Sequence, residues 1–156
     1  MRALEVIEIT GRPFSASLPR YEDIAPTVHI ALRCERRLLD KRINERARAM
    51  FDGDLVEEVE DLIDQGIREG ETAPRAIGYA QALAVIDGTM SVPEAVDSTA
   101  LATRQLASRQ IKWFRRDPRL HWIDVALTET GQCTDSERSR LTRQAWELVC
   151  AGRGVA

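Results

Sequence analysis

The chain has 156 residues, 44% of them hydrophobic and 30% charged, with a formal net charge of −3. That composition fits a single ordinary globular domain large enough to bury a sizeable core. It excludes a bilayer-spanning protein, because no apolar run approaches the roughly 18 residues such a span needs. The first ten residues, MRALEVIEIT, have neither an apolar stretch nor a small-residue cleavage site, so no signal peptide is read. Cys34, Cys133 and Cys150 are odd in number and widely spaced, with no CxxC and no clustered His. They fit neither a disulfide frame nor a zinc site, and a reduced, cytoplasmic compartment is the simplest expectation.

In chain order, Arg2 to Ile9 is dense in helix formers and predicts a short helix, with Gly11 as its C′ residue and Pro13 as a stop. A helix that starts with the chain is expected where a chain begins inside a domain. A loop follows through Ser15, Pro19 and Pro26. Thr27 to Arg33 is β-branched and apolar and predicts a strand buried on both faces. His121 to Val125 is the one other plausible strand, and two short strands do not make a stable independent sheet.

Glu35 to Met50 predicts a helix with Leu38, Leu39, Ile43, Ala47 and Met50 inward and a basic outer face, interrupted by Gly53. Asp54 is the expected cap of the next helix, Leu55 to Gln65, with Gly66 after its end. Between Gly53 and Glu71, eight acids face one base, Arg68, which reads as a solvated surface. Pro74 can open a further helix, with Gly78 inside the helical pattern at a cost of about 1 kcal/mol relative to Ala. Tyr79 beside it has two readings, a base-stacking ring or a core filler.

Asp87-Gly88 is a turn, and Ser91-Val92-Pro93-Glu94 is a capping box opening a long helix of about 25 residues. Asp117-Pro118 ends it. Thr134 to Glu137 is a second capping box before a last amphipathic helix ending near Gly152. The segment Arg104 to Arg119 holds six basic residues and one acid, +5, which leaves −8 for the rest of a −3 chain. Arg109, Lys112 and Arg116 share one helical stripe, with Trp113 among them. One reading is a solvated face with Trp113 and Phe114 turned into the core. The other is an anion site, with a phosphate backbone as leading ligand because fixed Arg forks match its repeated charges.

No phosphate loop of the form GxxxxGK[ST], no GxSxG, no HExxH and no EF-hand pattern occurs. His29 and His121 are the two histidines, and neither is paired in sequence with a nucleophile. His29 in its strand reads as a hydrogen-bonded core imidazole. From the residues alone, the chain is a mainly α domain with one or two short strands and a basic groove, with no assigned reaction.

The motifs RALEV (Arg2 to Val6), TGRPFS (Thr10 to Ser15), LLDKRINERARAMFDGDLVEEV (Leu38 to Val59), PRAIGYAQ (Pro74 to Gln81), IDGTMS and ATRQLASRQIKWFR (Ala102 to Arg115), then HWID, resemble the tRNA dimethylallyltransferase (tRNA isopentenyltransferase) family in order and spacing. The resemblance covers about residues 1–125 and implies the C-terminal half of a P-loop α/β fold. It divides the chain into a family part, 1–127, and a C-terminal loop and amphipathic helix, 128–156.

That family transfers a dimethylallyl group from dimethylallyl diphosphate to the exocyclic amine of the adenosine 3′ of the anticodon, after flipping the base into a channel. The resemblance implies tRNA contacts at Arg2, Arg75, Gly78, Tyr79, Arg109, Gln110, Lys112, Trp113 and Arg115, and a diphosphate contact at Arg46. It implies tRNA and dimethylallyl diphosphate as partners, with Mg²⁺ as the family cofactor, and neither membrane nor DNA. The P-loop, the proton-accepting Asp and the Mg²⁺ site are family features without a matching motif here, so no catalytic or metal role is assigned to any residue. Ala80 stands where the family usually has a basic residue. Three expectations stay open: the tRNA-binding half of an enzyme from a truncated or late-started reading frame and inactive alone, a stand-alone RNA-binding module, and a helical interaction protein.

Overall fold

The structure is a computed structural model that describes residues 2–11 and 21–152, with Arg2 and Ala3 described by backbone alone. Its elements are α1 (Arg2–Thr10), β1 (His29–Arg33), α2 (Arg36–Asp52), α3 (Leu55–Ile63), α4 (Tyr79–Ile86), α5 (Val92–Phe114), β2 (Leu120–Asp124) and α6 (Asp135–Gly152). Short 3-10 turns stand at Ile67–Glu69 and Ala73–Arg75. The mainly helical expectation with two short strands is met. Pro13, Ser15 and Pro19 lie outside the described residues.

Two apolar clusters organise the helices. Phe51, Leu55, Val59, Ala82, Leu83 and Ala95 join the end of α2 to α3, α4 and the start of α5. Ile43, Ala47 and Ala100 then seat α2 on α5. Ala47 and Ala100 are 2% and 3% exposed, and their small side chains let the two backbones approach closely. The two helices run antiparallel, with Arg36 beside Ser108 and Phe51 clustered with Ala95. The acids of α3 face solvent, as their density predicts.

The strands pair in parallel, His29 opposite Leu120 through Arg33 opposite Asp124. Parallel neighbours need a long crossover, and α2 to α5 supply it. The sequence read β1 as buried on both faces, but Leu32 is 59% exposed while Ile123 of β2 is 1% exposed. One partner strand cannot cover both faces of an apolar run. His29 is half-buried, with Nε2 2.8 Å from Asp23 Oδ1.

Local rules decide most boundaries. Gly11 donates its N–H to Ile7 O at 2.8 Å at φ +66° and closes α1. Ser91 donates its N–H to Glu94 at 2.8 Å, as the box predicts. Four expectations are corrected. Asp54 makes no side-chain cap, and α3 ends at Ile63 rather than Gln65. Gly78 is not inside a helix: it precedes α4 at φ +100°, where an L residue is strained. The Thr134–Glu137 box is half-formed: Glu137 accepts from Ala126 N at 2.8 Å and from Arg140, not from Thr134.

That diversion fastens α6 to the sheet. Arg140 also donates to Asp124 O at 2.6 Å, and at the other end Gly152 lies so close to Val28 that a Cβ would fall 2.5 Å from its Cγ2. Hydrogen bonds from Arg140 and the Ala126 amide hold the buried Glu137 carboxyl down at about 2.

Candidate nucleic-acid interface

The last turns of α5 are held from below and left bare above. Arg36 donates to Ser108 Oγ at 2.8 Å and to Arg104 O at 3.4 Å, and Arg104 donates to Asn44 Oδ1. These bonds pin α5 to α2 one turn before its basic end. Beyond them Arg109, Lys112, Arg115 and Arg116 are exposed, with no side-chain hydrogen bond or ion pair among the described residues. By contrast, Arg33, Arg37, Arg68, Arg119, Arg138 and Arg140 are each matched to a carboxylate. Arg119, counted in the basic segment, holds Asp117 at 2.7 Å and lowers its carboxyl to about 2. Within the basic segment, the cations without a hydrogen bond or ion pair among the described residues are thus these four side chains.

Trp113 and Phe114 are 65% and 37% exposed, their rings in a T-shaped pair 5.1 Å apart. This overturns the reading that turned both into the core. An exposed indole among unpaired cations can stack on a base while its neighbours meet phosphates.

Two open cavities flank this end of α5. One of about 390 Å³ is lined by Arg33, Cys34, Arg36, Lys112, Arg115 and Trp122, among others. The other, about 500 Å³, shares the Arg33, Cys34 and Trp122 wall and is otherwise largely apolar, with Leu32, Phe114 and Leu127. Burial raises the Cys34 thiol above its ordinary value, with Arg42 acting the other way.

The residues expected from the family motifs do not converge on one point. Lys112 and Arg115 line the first cavity and Gln110 the second, while Arg109 and Trp113 face solvent. Arg75 is exposed on its 3-10 turn. Tyr79 donates its hydroxyl to Glu58 and packs its ring against the first apolar cluster. Gly78 is buried, with its N–H donated to Gln81 Oε1 at 2.9 Å. Arg46 is exposed on α2 and lines neither cavity. The side chain of Arg2 lies outside the described residues. Arg33, Arg36 and Trp122 are lining residues that sequence reasoning missed. The available signal was positional: Arg33 ends a strand and Arg36 opens a helix, and loops at the carboxyl ends of parallel strands are where α/β sheets bind ligands.

Among the described residues no group of three His, Cys, Asp or Glu is placed to hold a metal ion. No described helix is long and apolar enough to cross a membrane.

Residues 1–117 match the family model for IPP transferase. A tRNA dimethylallyltransferase of Kineococcus radiotolerans is 53% identical over 123 residues, 79% of this chain and 39% of the relative. One of Mycobacterium tuberculosis is 46% identical over 154 residues, 95% of this chain and 47% of the relative. The solved tRNA isopentenylpyrophosphate transferase of Bacillus halodurans superposes with a TM-score of 0.71 at 29% identity, covering 99% of this chain and 46% of that one. The chain therefore spans less than half the length of these relatives. With three quarters of its residues inside the family model, the chain belongs to the IPP transferase family.

Proposed function

We propose that this chain supplies the tRNA-contacting part of a tRNA dimethylallyltransferase. The complete reaction joins the dimethylallyl group of dimethylallyl diphosphate to the exocyclic amine of the adenosine 3′ of the anticodon, in the cytoplasm. The observation that carries this reading is the set of four cations, without a partner among the described residues, around an exposed Trp113 at the end of α5. Arg guanidinium forks hold phosphates bidentately, and four of them or their lysine equivalent position an anticodon arm without reading its sequence. Arg75 extends the same chemistry from its 3-10 turn.

The chain itself carries no P-loop motif to cradle a diphosphate. The described residues do not fit Mg²⁺ either: the cavity beside α5 is lined by guanidinium and ammonium groups, which repel a cation, and no carboxylate lines it. No chemical step is assigned to these residues. Their work is binding and orientation of the RNA, which supplies proximity but not charge stabilisation at the reacting amine.

The test is tRNA binding by the chain at two salt concentrations, beside an Arg109→Ala, Lys112→Ala variant. Removing two phosphate contacts flattens the plot of log K against log salt by about 1.5. Absence of binding at low salt, or an unchanged slope in the variant, overturns the proposal. The isolated chain is expected to give no prenyl transfer with tRNA and donor, and measurable turnover contradicts that expectation. A stand-alone RNA-binding module rests on the same four cations. Adding the P-loop-bearing half of a relative separates the two, since restored transfer favours the enzyme and binding without transfer favours the module.

A further inference from the structure

The cavity of about 390 Å³ at the end of α5 differs from the exposed stripe beside it, because its cations come from three elements. Arg33 ends β1, Arg36 opens α2, Lys112 lies in the last turn of α5, and Arg115 caps its C-terminus. No carboxylate lines it. Each inner guanidinium has a carboxylate beside it: Asp124 Oδ1 lies 2.5 Å from Arg33 Nε, and Asp40 Oδ1 2.8 Å from Arg36 Nε. Arg36 is further fixed by Ser108, so its position is set before any ligand arrives. Among the described residues, Lys112 and Arg115 have no side-chain hydrogen bond or ion pair. The cavity opens at the carboxyl end of β1, where the chain turns through Cys34 and Glu35 into α2. Trp122 of β2 is the one aromatic wall.

We infer that this cavity is a phosphate pocket, which takes one phosphate or diphosphate group between Lys112 and Arg115 on the outside and Arg33 and Arg36 within. The inference deepens the reading of α5 as an RNA-facing helix and rests on it for Lys112 and Arg115. For Arg33 and Arg36 it is independent, because neither lies on that helix nor on its exposed stripe. A cavity this size admits a diphosphate; with Arg33 and Arg36 balanced by Asp124 and Asp40, Lys112 and Arg115 supply the net positive charge and the two inner guanidiniums supply oriented N–H donors. The oxyanion can come from the tRNA backbone or from a free or prenyl diphosphate.

The indoles at Trp113 and Trp146 are each 65% exposed, so replacing both by Phe leaves Trp122 as the sole indole of the chain at small structural cost. In that background, inorganic pyrophosphate is titrated with Trp122 emission as the readout; binding of a labelled anticodon stem-loop, and its competition by pyrophosphate, is followed by fluorescence anisotropy on the chain with Trp113 intact, because Trp113 belongs to the RNA-facing surface. Pyrophosphate is expected to change the emission saturably. Lys112→Met and Arg33→Gln each weaken its binding about tenfold, the scale of one charge-assisted contact. Arg143→Ala on α6, exposed and lining neither cavity, leaves it within about twofold because its charge is screened.

Competition between stem-loop and pyrophosphate assigns the pocket to an RNA phosphate. Stem-loop binding without competition assigns it to a small diphosphate. A pyrophosphate response with no stem-loop binding keeps the pocket and removes the RNA reading of α5. Salt-sensitive stem-loop binding with no response of Trp122 to pyrophosphate overturns the pocket and leaves the RNA reading intact. Equal weakening by Arg143→Ala and Lys112→Met also overturns it, because diffuse charge then explains the binding. Far-ultraviolet circular dichroism of each variant checks folding. If Arg33→Gln unfolds, Lys112→Met and Arg115→Met, both at exposed positions, carry the same test.

Discussion

Gly78→Ala is the substitution whose effect follows most directly from the geometry. Gly78 sits at φ +100° and ψ −55°, well outside the left-handed helical basin near +57° and +47°. Holding Ala there costs on the order of 1–3 kcal/mol. The added Cβ would lie 3.0 Å from Met50 Cε, the free end of a flexible side chain that can give by a few tenths of an ångström. Ala also restricts the unfolded chain, which offsets roughly 0.4–1 kcal/mol of the loss. The net expectation is a destabilisation of about 1–2 kcal/mol, which for a domain of this length lowers the melting temperature by roughly 3–6 °C. Gly88→Ala is the matched control: φ is +68°, within the left-handed basin, and nothing lies within 4 Å of the added methyl. Its expected loss is about 0–1 kcal/mol, since backbone strain and unfolded-state entropy nearly cancel. Urea unfolding with unchanged m-values measures both. Equal losses at Gly78 and Gly88, or no loss at Gly78, would refute the assignment of backbone strain to this position.

The carboxyls of Asp117 and Glu137 both lie at about 2, lowered by hydrogen bonds from Arg119 and Arg140 respectively. Their contribution to stability is fully present above the ordinary carboxylate range and is lost as pH falls toward about 2. Glu137→Gln should therefore bring much of that loss to neutral pH and flatten the dependence between pH 5 and 2; an unchanged acid titration by circular dichroism would assign the effect elsewhere. Val59 is 0% exposed at the centre of the first cluster, and Val59→Ala should cost about 2–3 kcal/mol in urea unfolding, from two lost methyl groups' worth of transfer and the cavity left behind. A loss under about 1 kcal/mol would mean that the site collapses on substitution. In α1, Leu4 and Ile9 are 70% and 84% exposed, so the chain is expected to self-associate with rising concentration. Leu4→Ser with Ile9→Ser should reduce that in sedimentation velocity; equal association by both proteins would place the contact elsewhere.

Some features are local and could be read from neighbouring residues alone. The capping box at Ser91 and Glu94, the C′ glycine at Gly11 and the acid face of α3 need only a few residues and a helical period. The long helix α5 follows from them, and so does the basic stripe at Arg109, Lys112 and Arg116. Family membership was legible for a different reason: the order and spacing of several motifs over most of the chain leave little room for coincidence.

Other features depend on what a side chain meets across the fold. Periodicity placed Gly78 inside a helix because it counts apolar positions and carries no information about φ; the structure puts it at the helix boundary at +100°. The second capping box failed because Glu137, free to choose, took the Ala126 amide and Arg140 over its own helix start. Composition set the net charge of the basic segment, yet only packing separated Arg119, matched to Asp117 and Asp23, from the segment's four cations that have no partner among the described residues. The same holds for the cavity: Arg33, Arg36, Lys112 and Arg115 are up to 82 positions apart in the chain, and the parallel pairing of β1 with β2 and the seating of α2 on α5 bring them together. The sequence by itself determined the elements, the basic helix and the family, because these are set by contacts within a few residues or by motif order. The tertiary structure decided which charges are spent on partners and which are left to face a ligand, because that depends on distances between residues far apart in the chain.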